Sequence, residues 1–285
     1  MTLTSSLLSA VSRLSEQNQQ RVHRLLAHRS PSIDLRKYPP TRQAAVLVLL
    51  FERAGELRVL LTTRAKTMRT HPGQTALPGG AKDDSDATIV DAAYREAMEE
   101  VGLPLHHPNV HTLCILRPFV AWTRSFVLVT PVVALLTDLS VLSTLRAAEG
   151  EVDLIFDHPL SAILEPSLAK GEPLVPLNSE HWPSSDPFYN YADSRWAWMG
   201  GSTYRLHRFR TAAAAIKGLT ADVLILTAAI AYERQPSFEW FAPGQFVDIE
   251  GTLKALDITA FNQWNRREPI ISKDGSVIAR PVSLE

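Results

Sequence analysis

The chain has 285 residues, 45% of them hydrophobic and 21% charged, an ordinary globular composition with length for one large domain or two small ones. Its 29 basic and 30 acidic residues leave a formal net charge of -1, which excludes a global field drawing in nucleic acid or an anionic membrane surface. No stretch approaches the ~20 apolar residues of a membrane span, and the single cysteine, Cys114 in an apolar run, excludes an internal disulfide and reads as a small buried hydrophobe. These features predict an intracellular protein, cytoplasmic by default. Peroxisome and mitochondrion stay open, although the tail Ser283-Leu284-Glu285 is not a Ser-Lys-Leu address.

In chain order, residues 11–27 predict one amphipathic helix, because Val11, Leu14, Val22, Leu25 and Leu26 share a side. Tyr38-Pro39-Pro40 marks a break, so residues 1–40 are expected to form a helix and linker ahead of the main body. Residues 44–51 and 57–62 are apolar and rich in β-branched side chains, and Glu52-Arg53-Ala54-Gly55 between them predicts a hairpin. A Gly/Pro-rich loop follows over 71–80, then a helix over 88–101 and strands over 110–116, 126–136 and 152–156. A helix is expected to end near Leu164. Residues 166–201 carry Trp182, Trp196 and Trp198 without a clean period and read as a long insertion. These tryptophans are expected to pack it on the body, with stacking on a base as the alternative. Residues 204–209 alternate like a strand, 219–232 form an apolar helix, and 252–264 predict a last helix in a C-terminal extension over 235–285 packed on the same domain.

The chemistry concentrates on the helix over 88–101. Glu96, Glu99 and Glu100 fall within an arc of about 100°, so three carboxylates crowd one face without an intervening lysine. Such crowding weakens a helix, and its simplest use is to hold a hard divalent cation, Mg²⁺ or Mn²⁺, through oxygen ligands. Just upstream, Leu77-Pro78-Gly79-Gly80 lets backbone amides approach a ligand beside that face, and Arg95 is placed to hold a carboxylate of its own helix or the neighbouring loop.

Arg95-Glu96-Ala97-Met98-Glu99-Glu100-Val101-Gly102-Leu103 resembles the second half of the Nudix hydrolase box. The first half departs from it: the glycine and glutamate positions hold Ala81 and Ala87, and the nearest acids are Asp83, Asp84 and Asp86. One extra residue and aspartates between the glycine pair and Arg-Glu are similar to the coenzyme A diphosphatase branch. So are Leu60-Leu61-Thr62-Thr63-Arg64, Arg69-Thr70-His71-Pro72-Gly73 and Leu77-Pro78-Gly79-Gly80, with Leu77 where that branch has Phe.

The resemblance covers about 42–231 and implies an α/β/α sandwich around a mixed sheet, with the domain over 41–234 interrupted by the insertion and followed by the helical extension. It implies Glu96 and Glu100 as principal metal ligands, Glu99 as a third ligand or base, and Glu151, with Glu149 as runner-up, as the general base. Arg64, Arg69, Gly79 and Gly80 are the implied substrate contacts, and His71 and Lys82 are weaker candidates. The implied reaction cleaves the diphosphate of coenzyme A or acyl-coenzyme A. The alternatives are hydrolysis of ADP-ribose, a dinucleotide or an oxidised nucleotide, or a catalytically inactive binding module. Small molecules are the expected partners, nucleic acid and membranes are not, and monomer or homodimer is left open.

Overall fold

The computed structural model describes residues 5–31, 33–122, 126–196, 201–255, 270–271 and 277–279. The amino-terminal segment forms two helices, α1 (Ser5–Val11) and α2 (Glu16–Ala27), where periodicity predicted one. The break has a specific cause. The backbone N–H and hydroxyl of Ser15 both donate to Glu52 at 3.0 Å, and Asn18 Nδ2 donates to the same carboxylate at 2.6 Å. A distant acid thus takes the Ser15 amide that a continuous helix would have used internally.

The predicted hairpin is β1 (Gln43–Arg53) and β2 (Glu56–Arg64), turned at Ala54 and Gly55, both with positive φ as a tight two-residue connection requires. The 71–80 loop contains two short strands, β3 (Thr75–Ala76) and β4 (Gly79–Ala81). Then follow α3 (Ile89–Val101), β5 (Val110–Ile115), β6 (Phe119–Trp122), β7 (Phe126–Leu136), α4 (Ser140–Thr144) and β8 (Val152–Pro159). Strand β6 was not foreseen, β8 is longer than expected, and the helix predicted to end near Leu164 is a single 3-10 turn over Ser161–Ile163.

These strands make one mixed sheet in the order β3-β2-β1-β7-β5, with β4 also pairing β1, β6 pairing β7 and β8 pairing β2. Its centre is the parallel pair β1 and β7, in register from Gln43↔Leu128 to Phe51↔Leu136. Both faces of β1 are covered. Ala45, Leu47, Leu49 and Phe51 pack with Ala93, Ala97 and Val101 of α3, whereas Val48 and Leu50 join the opposite core with Val22 and Leu25 of α2. Alternate residues of one strand therefore feed two cores, which makes the α/β/α sandwich.

The segment 166–201 is not the shapeless insertion the composition suggested. It holds β9 (Tyr189–Trp196), which pairs antiparallel with β10 (Ser202–Phe209) over its whole length, and β11 (Ile216–Lys217) completes a second, three-stranded sheet. Half of the residues of β9 are exposed and none is buried, as suits an edge strand, and its polar residues hid the alternation. Helix α5 (Gly218–Tyr232) follows, apolar on nearly every side, because it lies in the same core as α2 and the sheet. The last described helix is α6 (Ile249–Ala255); the remainder of the helix predicted over 252–264 lies outside the described residues.

Candidate functional site

Helix α3 is fixed at both ends by its own sequence. Thr88 and Asp91 form a reciprocal capping box, with Thr88 N–H donating to Asp91 Oδ2 at 2.8 Å and Asp91 N–H to Thr88 Oγ1 at 3.2 Å. Gly102, at φ 69°, closes the other end, and Leu103 donates its N–H to Ala97 O at 3.3 Å while burying its side chain. The helix then leans on the glycine pair. β4 pairs with β1 through Val46↔Gly79 and Ala45↔Gly80, and a Cβ on Gly80 would lie 2.7 Å from Glu96 Oε1. Only a glycine lets the strand pass this close to that carboxylate.

The three glutamates have different surroundings. Glu100 is buried, accepts the Gly79 N–H at 3.1 Å and faces Arg64 Nη1 at 3.8 Å. Burial pushes its pKa up to about 7, against the pull of Gly79 and Arg64, and the charges of Glu96 and Glu151 add to the rise. Glu96 is half-buried and also raised by burial, with Arg95 opposing the shift. Glu99 is turned outward and accepts from Arg95 Nη1 at 3.0 Å.

Arg95 organises this face. Its Nε and Nη2 grip Asp86 at 3.0 and 2.9 Å, Nη2 also donates to Ala81 O at 2.9 Å, and Nη1 donates to Glu96 at 3.0 Å. The fork thus ties the loop before α3 to the acidic face, as expected of it. Asp86 was noticed in the sequence only as a nearby acid. It is buried, and the Arg95 hydrogen bonds hold its pKa below the usual range.

The chain after α4 brings in one more acid. Arg146 and Ala148 donate N–H groups to Val101 O and Glu100 O at 2.9 and 3.0 Å, and Ala65 N–H donates to Glu151 O at 2.9 Å. Glu151 thus comes near enough for its charge to act on Glu100, which has Arg64 alongside, while Glu151 and Glu149 remain exposed. Arg69 is exposed and does not line the adjoining cavity. Among the described residues, no three His, Cys, Asp or Glu side chains converge as a metal cluster in this arrangement, in which Glu96 and Glu99 turn to Arg95.

The cavity, of about 930 Å³, opens from Arg64, Gly79 and Gly80. Its far wall comes from chain beyond α4: Trp196 and Tyr204 of the second sheet, the start of α5, and residues 240–252. Tyr204 donates its hydroxyl to Asp222 at 2.6 Å, and burial pushes Asp222 up to about 7. Arg117 lies 4.6 Å above the Phe119 ring and reaches Val247 O at 3.5 Å. Neither Asp222 nor Arg117 was singled out from sequence, although a lone aspartate inside the apolar run of α5 was a usable signal. Trp182 is buried and donates to Asp186 O at 2.8 Å, packing its own segment; Trp196 lies 4.1 Å from the Tyr204 ring; Trp198 lies outside the described residues.

Residues 41–170 match the family model of the NUDIX domain. The chain is 35% identical over 208 residues to Nudix hydrolase 15, mitochondrial, of Arabidopsis thaliana, covering 73% of this chain and 64% of that one. It is 45% identical over 134 residues to the Nudix hydrolase NudL of Enterobacter sp. (strain 638), covering 47% of this chain and 64% of that one. The chain thus spans less than two thirds of the length of these relatives. Among solved structures it is similar to the NUDIX domain of Shewanella oneidensis NrtR complexed with ADP ribose, with 19% identity, a TM-score of 0.34, and coverage of 47% of this chain and 82% of that one.

Proposed function

From a chain that carries a Nudix domain, we propose a metal-dependent pyrophosphohydrolase that cleaves the diphosphate of coenzyme A or acyl-coenzyme A to 3',5'-ADP and (acyl-)4'-phosphopantetheine. The observation that carries the reading is the pressing of the Glu96 and Glu100 face against a glycine-backed strand at the mouth of the cavity. The motif from Leu60 to Gly73, one of whose residues is Arg64 beside Glu100, supports coenzyme A over other diphosphates.

The donor chemistry fits a hard divalent cation. Glu96 and Glu100 offer only oxygen, one helical turn apart, and Glu100 is a buried carboxylate whose nearest guanidinium nitrogen is 3.8 Å away. Glu96 and Glu100 would hold Mg²⁺ or Mn²⁺, with Glu99 joining once released from Arg95. The ion would neutralise diphosphate oxygens and make a nearby water more acidic. The protein's own groups supply the rest. Gly79 and Gly80 keep side chains away from the diphosphate, Arg64 adds a guanidinium for its oxygens, and exposed Glu151 accepts the proton of the attacking water. Arg95 already occupies Glu99, which favours Glu151 for that last role. An intracellular setting is part of the proposal, supported by the buried, unpaired Cys114 and by the mitochondrial relative.

The test is product analysis of purified protein with coenzyme A and Mg²⁺ or Mn²⁺, beside ADP-ribose, NADH and an oxidised guanosine triphosphate. Metal-dependent release of 3',5'-ADP in preference to the other cleavages supports the proposal. Preferential cleavage of another diphosphate overturns the substrate, and no cleavage of any overturns the activity.

A further inference from the structure

One corner of the cavity carries more positive charge than the cleavage chemistry, which uses Arg64 alone, calls for. Arg64 at the end of β2, His71 in the following turn and Lys217 at the end of β11 all line it. The segments are tied together. Arg64 Nε donates to Thr70 O at 3.3 Å and Gly73 N–H donates to Arg64 O at 3.0 Å, folding the turn back over β2. Thr220 then donates its hydroxyl to Thr75 O at 3.5 Å, holding the start of α5, and Lys217 before it, against β3. His71 itself sits at φ 52°, in the left-handed region that histidine enters more readily than most residues, where the turn folds back. Its pKa is held below the usual range by burial, then by the charges of Arg64 and Lys217, so the three groups sense one another.

With His71 thereby kept neutral, as a hydrogen-bonding group beside Arg64 and Lys217, a third cation adjoins them just outside the cavity lining. Arg208 of β10 stands directly opposite Lys217 in the ladder. Like charges directly opposed weaken a strand pair. Among the described residues, neither Arg208 nor Lys217 forms an ion pair with a carboxylate, and Arg64 has only Glu100 at 3.8 Å. The acids that line the cavity are engaged elsewhere, Asp222 with Tyr204 and Asp248 with the Gly251 N–H. Among the described residues, Lys217 and Arg208 thus face this corner of the cavity without a carboxylate to offset them.

We infer that this corner, built by Arg64, His71, Lys217 and Arg208, is a subsite for a phosphate monoester that the substrate carries in addition to its scissile diphosphate. The inference rests on the diphosphate-hydrolase reading and deepens it: Arg64 stands between the glutamates and the corner, so the diphosphate lies toward Gly80 and the monoester toward Lys217. A monoester dianion suits the corner better than a singly charged carboxylate or diester, because its three terminal oxygens accept from several cationic donors at once.

The experiment compares coenzyme A with dephospho-coenzyme A, which differ only in the 3'-phosphate, in wild type, Lys217→Ala and Lys217→Arg. The ratio of their kcat/KM values is expected to favour coenzyme A, to fall roughly 10- to 100-fold in Lys217→Ala, and to recover largely in Lys217→Arg. An equal loss on both substrates overturns the inference, because the lysine would then grip the diphosphate itself. Calorimetric binding of 3',5'-ADP against 5'-AMP reads the corner without turnover, so it holds even if no diphosphate is cleaved. Tighter binding of 3',5'-ADP that Lys217→Ala abolishes supports the subsite, and equal binding of the two overturns it. Arg208→Ala guards against a folding artefact. Relieving the like-charge pair, it should melt no lower than wild type and still weaken 3',5'-ADP, and undiminished binding in it counts against the corner as drawn.

Discussion

Two adjacent glycines allow the site and the fold to be perturbed separately. At Gly80 the backbone tolerates alanine, but the new Cβ would lie 2.6 Å from Glu96 Cδ and 2.7 Å from Glu96 Oε1, the far end of a side chain that can swing away. At Gly79 the Cβ would lie 2.7 Å from Val46 Cα and collide with Ala45 O, on backbone at φ 157°, with nothing flexible to yield. Gly80→Ala should therefore change stability by less than about 1 kcal/mol while moving Glu96 by about 1 Å, a displacement that lowers turnover on the order of 100-fold when the group acts in catalysis. Gly79→Ala should instead lose on the order of 3 kcal/mol from overpacking and strain, a fall in melting temperature of roughly 5–10 °C. Metal-dependent coenzyme A hydrolysis read beside thermal melting of both variants makes the comparison. Wild-type turnover in Gly80→Ala would remove Glu96 from the chemistry, and equal melting of the two variants would refute the distinction between a yielding carboxylate and an unyielding backbone.

Three other outcomes follow from the same geometry. Glu100→Gln should lower turnover at least about 100-fold with the melting temperature held or raised, since a buried charge is removed where Gly79 N–H still finds an oxygen; near-normal turnover would count against the carboxylate's role. Arg58, clamped between Asp157 and Glu172 with bonds to Glu172 of 3.0 and 2.7 Å, leaves two partly buried carboxylates when lost, so Arg58→Ala should destabilise by about 3 kcal/mol in denaturant melts. His207, bonded to Trp240 O at 2.8 Å and Tyr189 at 2.9 Å, is held by burial at about 4 against an ordinary 6.5, so the unfolded chain binds the extra proton between those values and stability falls as pH drops through that window. The deficit of His207→Gln relative to wild type should accordingly shrink by about 2 kcal/mol between pH 7.5 and 5, whereas a constant deficit would mean that the imidazole is not kept neutral.

What the sequence disclosed was what is local. The capping box at Thr88, the three glutamates, the glycine pair and the β1–β2 hairpin all lie within a few residues of their causes, so pattern and turn chemistry suffice. The amino-terminal break did not show, because Glu52 that causes it is 37 residues from Ser15. Strand β9 was lost because Tyr-Asn-Tyr-Ala-Asp-Ser-Arg-Trp carries no apolar alternation; its place comes from pairing with β10. Most of the far wall of the cavity was illegible for the same reason. Tyr204 of β10 and Lys217 of β11 are ordinary residues that only long-range packing brings to the cavity, whereas Asp222 in the apolar run of α5 carried a local signal. Arg69, by contrast, stands in the motif and is exposed but is not among the residues lining the cavity, so position in the pattern alone did not place it.

The contact between α2 and α5 governs the order in which the molecule can assemble. Val22 and Leu25 are fully buried in the core that α5 shares, and Arg24 reaches Ala231 O at 3.2 Å. During synthesis α2 emerges early, but its partner is nearly 200 residues away, a delay of roughly 10–40 s at ordinary elongation rates. Throughout that interval its apolar stripe has only the growing sheet to lie on. Closure of this contact is then a late, non-local and therefore slow event, and the nascent amino-terminal helix is the surface on which a chaperone, or a neighbouring unfinished chain, would act first.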